Sequence, residues 1–313
     1  TPGHTRHLDI AIGLKNKGWD VEVFASDFNL SQRKFLKLKN YDFAKSEQIS
    51  GIKWNWLKVF PYVTNNWKRY INIISFCLFL SIILIFKILI LSFYGKKPKI
   101  IFASSPQLPA AFLSMLISKL FNIPFVLEIR DLWPDILTEI NGASKESKLI
   151  KFLSHLENSL YLNSNFVVTL AKGVKRIIIS RGGDKVYWLP NGPDLKIFKN
   201  TPLPHENSFF SNKRKFRILY AGSHGLVNAL DNVIEAASSI QEYPIKFIFI
   251  GDGPEKEKLI LKAKNLNNIF FREPISKDLI PNELSKADAI LISLKEVNLF
   301  QYGISPNKLY DAY

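Results

Sequence analysis

Cysteine is almost missing from this 313-residue chain: Cys77 is the only one. That excludes an intrachain disulfide and any zinc site built on cysteines. Histidine is scarce too. The five present (His4, His7, His155, His205 and His224) show no ligand spacing of the H-E-x-x-H kind, so no metal is expected. Acidic residues run short, 27 against 42 Lys and Arg, which leaves a net charge of +15. Such a balance favours anionic partners: nucleic acid, an anionic membrane or a phosphorylated substrate. No recognised nucleic-acid module is present and the lysines are spread along the chain, so nucleic acid is not expected as a partner. Apolar residues are not short. At 47% hydrophobic the chain can bury ordinary cores, disorder is not expected, and the length suits two α/β domains.

The apolar pattern alternates between strand and helix. Residues 7–18 read as a helix closed by Gly18, and 19–27 as a strand. Residues 28–56 are polar and irregular, with a strand near 52–59. KIIFASSP (99–106), IPFVLEIRD (123–131) and SNFVVTLA (164–171) read as core strands with helices between them, and KVYWLPNGPD (185–194) as a short strand entering a turn. This βα alternation argues for a mostly parallel sheet. Residues 1–195 form the expected first domain, the proline-bearing stretch 196–215 a linker, and 216–313 the second domain. A doubly wound domain normally opens with a strand before its first glycine turn. None precedes Gly3, and the helix at the end reads as unfinished, so pieces are expected to be missing at both ends.

One segment stands apart. Ile71–Tyr94 is almost wholly apolar and long enough to span a bilayer. A single crossing would put strands 19–27 and 99–106 on opposite sides of the membrane, although they should share a sheet. Both flanks are basic (Lys68 and Arg69; Lys96, Lys97 and Lys99), so charge gives no orientation. A helix or re-entrant hairpin dipping into one leaflet is expected, with Trp67, Tyr70 and Tyr94 at the interface and lysines on anionic headgroups. A buried core helix and a true span stay open as alternatives. The internal position excludes a secretory signal.

Several short patterns carry chemistry. ILYAGSHG (218–225) is a strand entering a glycine turn before a helix. Gly222 and Gly225 let backbone approach a ligand and the free N–H groups favour phosphate, unless the turn is only a packing device. IGDGP (250–254) is a second such turn, in which Asp252 and Gly253 also make a good structural bend. Near the end, Asn307 and Lys308 open a helix that carries Asp311, offering backbone donors and a positive charge. FVLEIRDLWPDI (125–136) crowds Glu128, Arg130 and Asp131 at a strand end, where α/β sheets bind ligands. A buried Arg–Asp pair is the plainer reading. Asp131 and Asp135 are not read as a metal pair, because Pro134 breaks the helical spacing. Gly3, His4, Arg6 and His7 lie at a strand-to-helix turn, and Ser104 and Ser105 at another strand end, where turn and cap roles are common.

The order LPNGPD (189–194), ILYAGSHG, KFIFIGDGP and YGISPNKLYDAY (302–313) resembles the second half of a family 4 glycosyltransferase. The resemblance covers nearly the whole chain. It implies the GT-B fold: two Rossmann-like, doubly wound α/β domains facing across a cleft, here with an apolar membrane-associating segment in the first. The E-x-R-D-L-W-P string resembles the branch that makes bacterial surface polysaccharide of the O-antigen or colanic-acid type, attaching amino or deoxy sugars to lipid-linked acceptors. The resemblance implies a retaining transferase with no enzymatic nucleophile and no metal, in which the leaving diphosphate takes the acceptor's proton. It implies a UDP-linked sugar donor on the second domain, at Gly222, His224, Gly225, Gly251, Gly253, Asn307 and Asp311. An undecaprenyl-diphosphate saccharide is the implied acceptor, beside Gly3, His4, Arg6, Ser104, Ser105 and Glu128 at the cytoplasmic face of the bacterial inner membrane. Arg130, Asp131 and Lys308 are the implied catalytic residues.

Three departures from the family pattern are visible. Ser223 stands where an arginine of the diphosphate clamp is common, Gly303 replaces the first of two glutamates, and Arg130–Asp131 replaces His–Asp. Lys308 is expected to take over the clamp, with His224 as second candidate. A UDP-sugar 2-epimerase of the same architecture and a non-catalytic binding protein remain as rival readings.

Overall fold

A computed structural model describes residues 6–29, 33–39, 41–64, 66–105, 107–192 and 215–311. The chain divides into a first unit of residues 5–190 and 298–304, and a second of residues 1–4, 191–297 and 305–313.

In the first unit α1 (Arg6–Asn16) ends before Gly18, which takes φ +85° as the expected C-cap. β1 (Glu22–Ser26), β2 (Phe28–Asn29), β3 (Lys34–Phe35), β4 (Ala44–Ile49) and β5 (Ile52–Leu57) follow. Residues 28–56 are therefore less irregular than expected. β4 and β5 form an antiparallel hairpin through Ser50 and Gly51, both with positive φ (52° and 74°). The sequence hid β4 because AKSEQI is an edge strand with mostly exposed side chains and no apolar alternation.

α2 (Trp67–Phe93) is one unbroken helix of 27 residues, capped by the Asn66 side chain, so the segment is not a hairpin. One side packs inward: Cys77 and Leu80 against Leu57 and Ala110, Ile88 against Ile117 and Ile123.

The expected core strands then follow: β6 (Ile101–Ser104), α3 (Leu108–Leu120), β7 (Phe125–Ile129), α4 (Asp135–Asn141), α5 (Lys148–Asn163), β8 (Phe166–Thr169), α6 (Val174–Ser180) and β9 (Val186–Trp188). They make a parallel sheet in the order β6-β7-β8-β9. Phe125, Leu127 and Ile129 pack with Leu160 and Ile178 in its core, which is why the run is apolar almost without alternation. β1 and β6 do not share this sheet, contrary to expectation: β1 pairs with β5 and stays in a separate three-stranded sheet. A doubly wound order puts an opening strand between those two positions. Among the described residues none lies there.

The second unit contains β10 (Phe216–Ala221), α7 (Leu230–Ser238), β11 (Ile245–Ile250), α8 (Lys256–Lys262), β12 (Ile269–Arg272), α9 (Ile280–Leu284), β13 (Ala289–Ile290) and α10 (Asn307–Asp311). Its parallel sheet runs β12-β11-β10-β13 over a core that includes Tyr220, Ile234, Ala237 and Phe249. Of the expected linker, 196–214 lie outside the described residues. Residues 298–304, expected in the second domain, belong to the first unit. There the Leu299 amide donates to Glu139 Oε2 at 3.0 Å and its side chain joins the first core. No local pattern marks that docking, because its partners lie 160 positions away.

Candidate functional site

In the second unit, β10 runs into Gly222, whose amide donates to Ile250 O at 2.9 Å. This turn rests on the 251–253 turn, where the His224 amide donates to Asp252 O at 2.9 Å. The contact needs glycine. A Cβ on Gly251 would lie 1.9 Å from Gly222 O, and one on Gly253 2.6 Å from His224 O. Both glycines were expected at the donor; the structure uses them to let two backbones touch. Gly225 has room for a side chain: its Cβ would meet nothing nearer than Ser223 Oγ at 3.5 Å.

Lys308 is where the sequence placed it, near the start of α10, and its side chain lies over the Gly222 turn. A Cβ on Gly222 would strike Lys308 Cε at 2.4 Å, and Gly222 itself takes φ +149°. Lys308 Nζ sits 3.7 Å from the Tyr220 ring centroid and donates to Asn228 Oδ1 at 3.3 Å. The aromatic face and the amide hold the ammonium in place. Burial lowers its pKa to about 8, so it remains mostly charged at neutral pH. Tyr220 and Asn228 were not singled out in the sequence. Asn228 had a signal, as a polar side chain just after the glycine turn. Asn307 opens α10 and is exposed; the Asp311 side chain lies outside the described residues.

His224 is not a cation here. It is fully buried, with the Tyr220, Phe249 and Phe271 rings at 5.9, 6.4 and 5.9 Å. Among the described residues neither ring nitrogen has a hydrogen-bond partner. Burial first, then the charge of Lys256, pushes its pKa down to about 4, so the ring is neutral at pH 7. The second candidate for the clamp is thereby removed.

The first unit has its own polar cluster at the carboxyl ends of β6 and β7. Glu128 is fully buried and accepts from Arg6 Nε at 2.6 Å, His7 Nε2 at 2.9 Å and Ser104 Oγ at 2.5 Å. Burial alone would raise its pKa. The hydrogen bonds from His7, Ser104 and Arg6, with the Arg6 charge, overcome that and hold it at about 2. Arg6 also donates to Leu189 O at 2.8 Å and Pro190 O at 2.9 Å, tying α1 to the end of β9. Ser105 is buried, and its Oγ accepts from the Arg130 amide at 3.0 Å. Arg6, Ser105 and Glu128 were expected to face an acceptor; their polar atoms turn inward and build the strand ends instead. Gly3 and His4 lie outside the described residues.

Arg130 and Asp131 follow directly after β7. Asp131 opens to solvent on one side, yet the surrounding protein raises its carboxyl pKa, partly opposed by Arg130. The loop beyond them is braced by Arg181, which bridges Asp135 and, at 2.7 Å, Glu157. Burial carries Glu157 up to about 7 despite its bonds from Tyr161 and Arg181. Asp135 is thus an ion-pair partner. Among the described residues, no group of three or more His, Cys, Asp or Glu side chains could hold a metal. Arg130 and Asp131 belong to the first unit and Lys308 to the second.

Two α/β units built on parallel sheets, the second with a lysine laid over a glycine turn, match the architecture of the GT-B fold. Residues 204–297 match the family described as glycosyl transferases group 1. Over 211 residues the chain is 28% identical to the putative colanic acid biosynthesis glycosyl transferase WcaI of Escherichia coli strain K12, covering 64% of this chain and 51% of that protein. It is 23% identical to the probable glycosyltransferase WbjE of Pseudomonas aeruginosa, covering 69% of this chain and 53% of that one. The chain spans about half the length of these relatives. Among solved structures it resembles sucrose-phosphate synthase from Thermosynechococcus elongatus (TM-score 0.62, 13% identity, 93% of this chain and 70% of that one). It also resembles Anabaena HepE in complex with UDP and glucose (TM-score 0.59, 13% identity, 94% and 71%). These similarities support a glycosyltransferase of group 1 and agree with the family 4 resemblance of the motifs.

Proposed function

We propose that the protein transfers a sugar, with retention of configuration, from a UDP-linked donor to an undecaprenyl-diphosphate-linked saccharide in bacterial surface-polysaccharide synthesis. The observation that carries this reading is Lys308, fixed by Tyr220 and Asn228 over the Gly222 backbone. That places one oriented cation at a glycine turn able to receive a diphosphate. The UDP held by HepE and the colanic-acid role in WcaI's description support the donor and the polymer class. In this reading Asp311 holds the ribose and no metal is needed. The test is incubation with labelled UDP-sugars and lipid-linked saccharides extracted from bacterial membranes. Label should move into lipid. A free epimer would mean the 2-epimerase, and no chemistry at all a binding protein.

We also propose that α2 seats the protein on the cytoplasmic face of the inner membrane. Ile74, Leu78, Ile82, Phe86, Leu89 and Phe93 are all exposed, and they recur about once per turn along one side of the helix. Only 11% of its most apolar stretch is buried, too little for a core helix. The opposite side packs on the first unit along the helix, and Lys87 pairs with Glu22 of β1 there. A spanning helix would carry that polar surface into the lipid, so the helix lies in the plane of one leaflet. Trp67, Tyr70 and Tyr94 are exposed at its two ends, with Lys68, Arg69, Lys96 and Lys97 beside them for anionic headgroups. Removing the segment would strip the core around Leu57 and Ile123, so substitution is the better test. Leu78→Glu with Phe86→Glu should move the protein from the membrane fraction to the supernatant while its fold persists. In the unaltered protein, detergent should release more than high salt does. A double variant that stays fully membrane-bound would remove α2 as the anchor.

A further inference from the structure

We propose that His7 is a substrate-binding residue of the first unit, accepting a hydrogen bond at Nδ1 from a hydroxyl of the acceptor saccharide while Glu128 fixes its ring. This deepens the transferase reading and rests on it.

His7 lies in the first turn of α1, and its partners come from the carboxyl ends of β6 and β7, the edge where α/β sheets receive ligands. Glu128 is fully enclosed and already receives Arg6 and Ser104. An ionised carboxylate can only accept, and Glu128 stays ionised well below neutral pH. The proton between the two residues must therefore sit on Nε2 of His7. In the neutral ring that leaves a lone pair on Nδ1. Among the described residues Nδ1 has no partner, and the side chain is 34% exposed, against none for Glu128.

The ring is thus tied at one nitrogen and open at the other. A carboxylate that orients an imidazole in this way fixes both the tautomer and the direction of the free lone pair. Arg6 stiffens the arrangement, because its guanidinium is pinned by Glu128 Oε1 and the Leu189 and Pro190 carbonyls. Where the ring is neutral, its lone pair offers little to a phosphate and much to an O–H donor, which favours the sugar over the diphosphate of the acceptor.

The test is His7→Gln, whose amide can still reach Glu128 but presents nothing at the Nδ1 position. With labelled UDP-sugar and lipid-linked saccharides extracted from bacterial membranes, kcat/KM for the lipid should fall about 10-fold or more, with UDP affinity and thermal unfolding unchanged. A variant as active as the unaltered enzyme would reduce His7 to a structural tie and overturn the proposal, leaving the transferase reading intact. If the unaltered enzyme moves no sugar, the transferase reading fails, and nitrogen NMR of the imidazole decides the inference without turnover. A protonated Nε2 and an Nδ1 signal that shifts on adding the same lipid-linked saccharides support it. A proton on Nδ1, or no shift, overturns it.

Discussion

Lys308→Ala should lower turnover by about 100-fold or more and leave folding nearly unchanged, because in the proposed reaction the side chain supplies charge to the ligand rather than to the core. In the proposed reaction two phosphates must be neutralised as the bond to the sugar breaks. The arginine position after Gly222 holds Ser223, and His224 is buried and neutral; among the described residues of this unit it is Lys308 whose side chain lies over Gly222. Negative charge on the leaving diphosphate is greatest when the bond is breaking. A fixed ammonium therefore gains more in the transition state than in the ground state, and kcat falls more than UDP affinity does. The pH dependence has a definite sign. Burial puts the Lys308 pKa at about 8, so the free enzyme loses the cation as pH rises through that value, and kcat/KM for the donor should decline there. The variant should lack this alkaline limb. Steady-state rates across pH with labelled donor measure both effects. Near-normal turnover of Lys308→Ala would place the clamp elsewhere.

Glu128→Ala should destabilise the protein by about 3–5 kcal/mol, since it leaves the Arg6 guanidinium buried without its carboxylate. The carboxylate belongs to the usual depressed class. Its pKa falls from 4.5 to about 2 on folding, which corresponds to about 3 kcal/mol. That contribution is fully present above pH 4.5 and is lost as pH falls towards 2. Denaturant unfolding at neutral and acid pH should show the gap between variant and unaltered protein narrowing over that window. Equal stability at pH 7 would mean that the cluster does not hold the strand ends together. The two substitutions should also separate roles: one should remove activity and leave the fold, the other should remove the fold's support at the carboxyl ends of β6 and β7.

Much of this was legible in the chain because the signals are local. Phe125–Ile129 reads as a central strand from its apolar run, and Gly18 as a helix end from its position. Gly222 and Gly251 mark strand ends because a side chain there meets backbone or Lys308 at once. The P-N-K-L string announced a charged helix start, and Lys308 is found there. Tertiary structure decided what distance in sequence conceals. Arg6 and Glu128 are 122 positions apart, and only folding turns two apparent substrate contacts into a buried ion pair that leaves His7 facing outward. Lys308 reaches Asn228 across 80 positions. His224 has the right spacing for a phosphate contact, and desolvation among aromatic rings takes its charge away. The apolar run from Ile71 told of a helix, but not which side meets protein. That followed from Leu57, Ala110 and Ile117 covering one face and leaving the other bare. Composition and spacing set the strands and turns; burial and long-range pairing set which polar groups keep their charge and which remain open to a ligand, because both depend on neighbours that only the folded chain brings together.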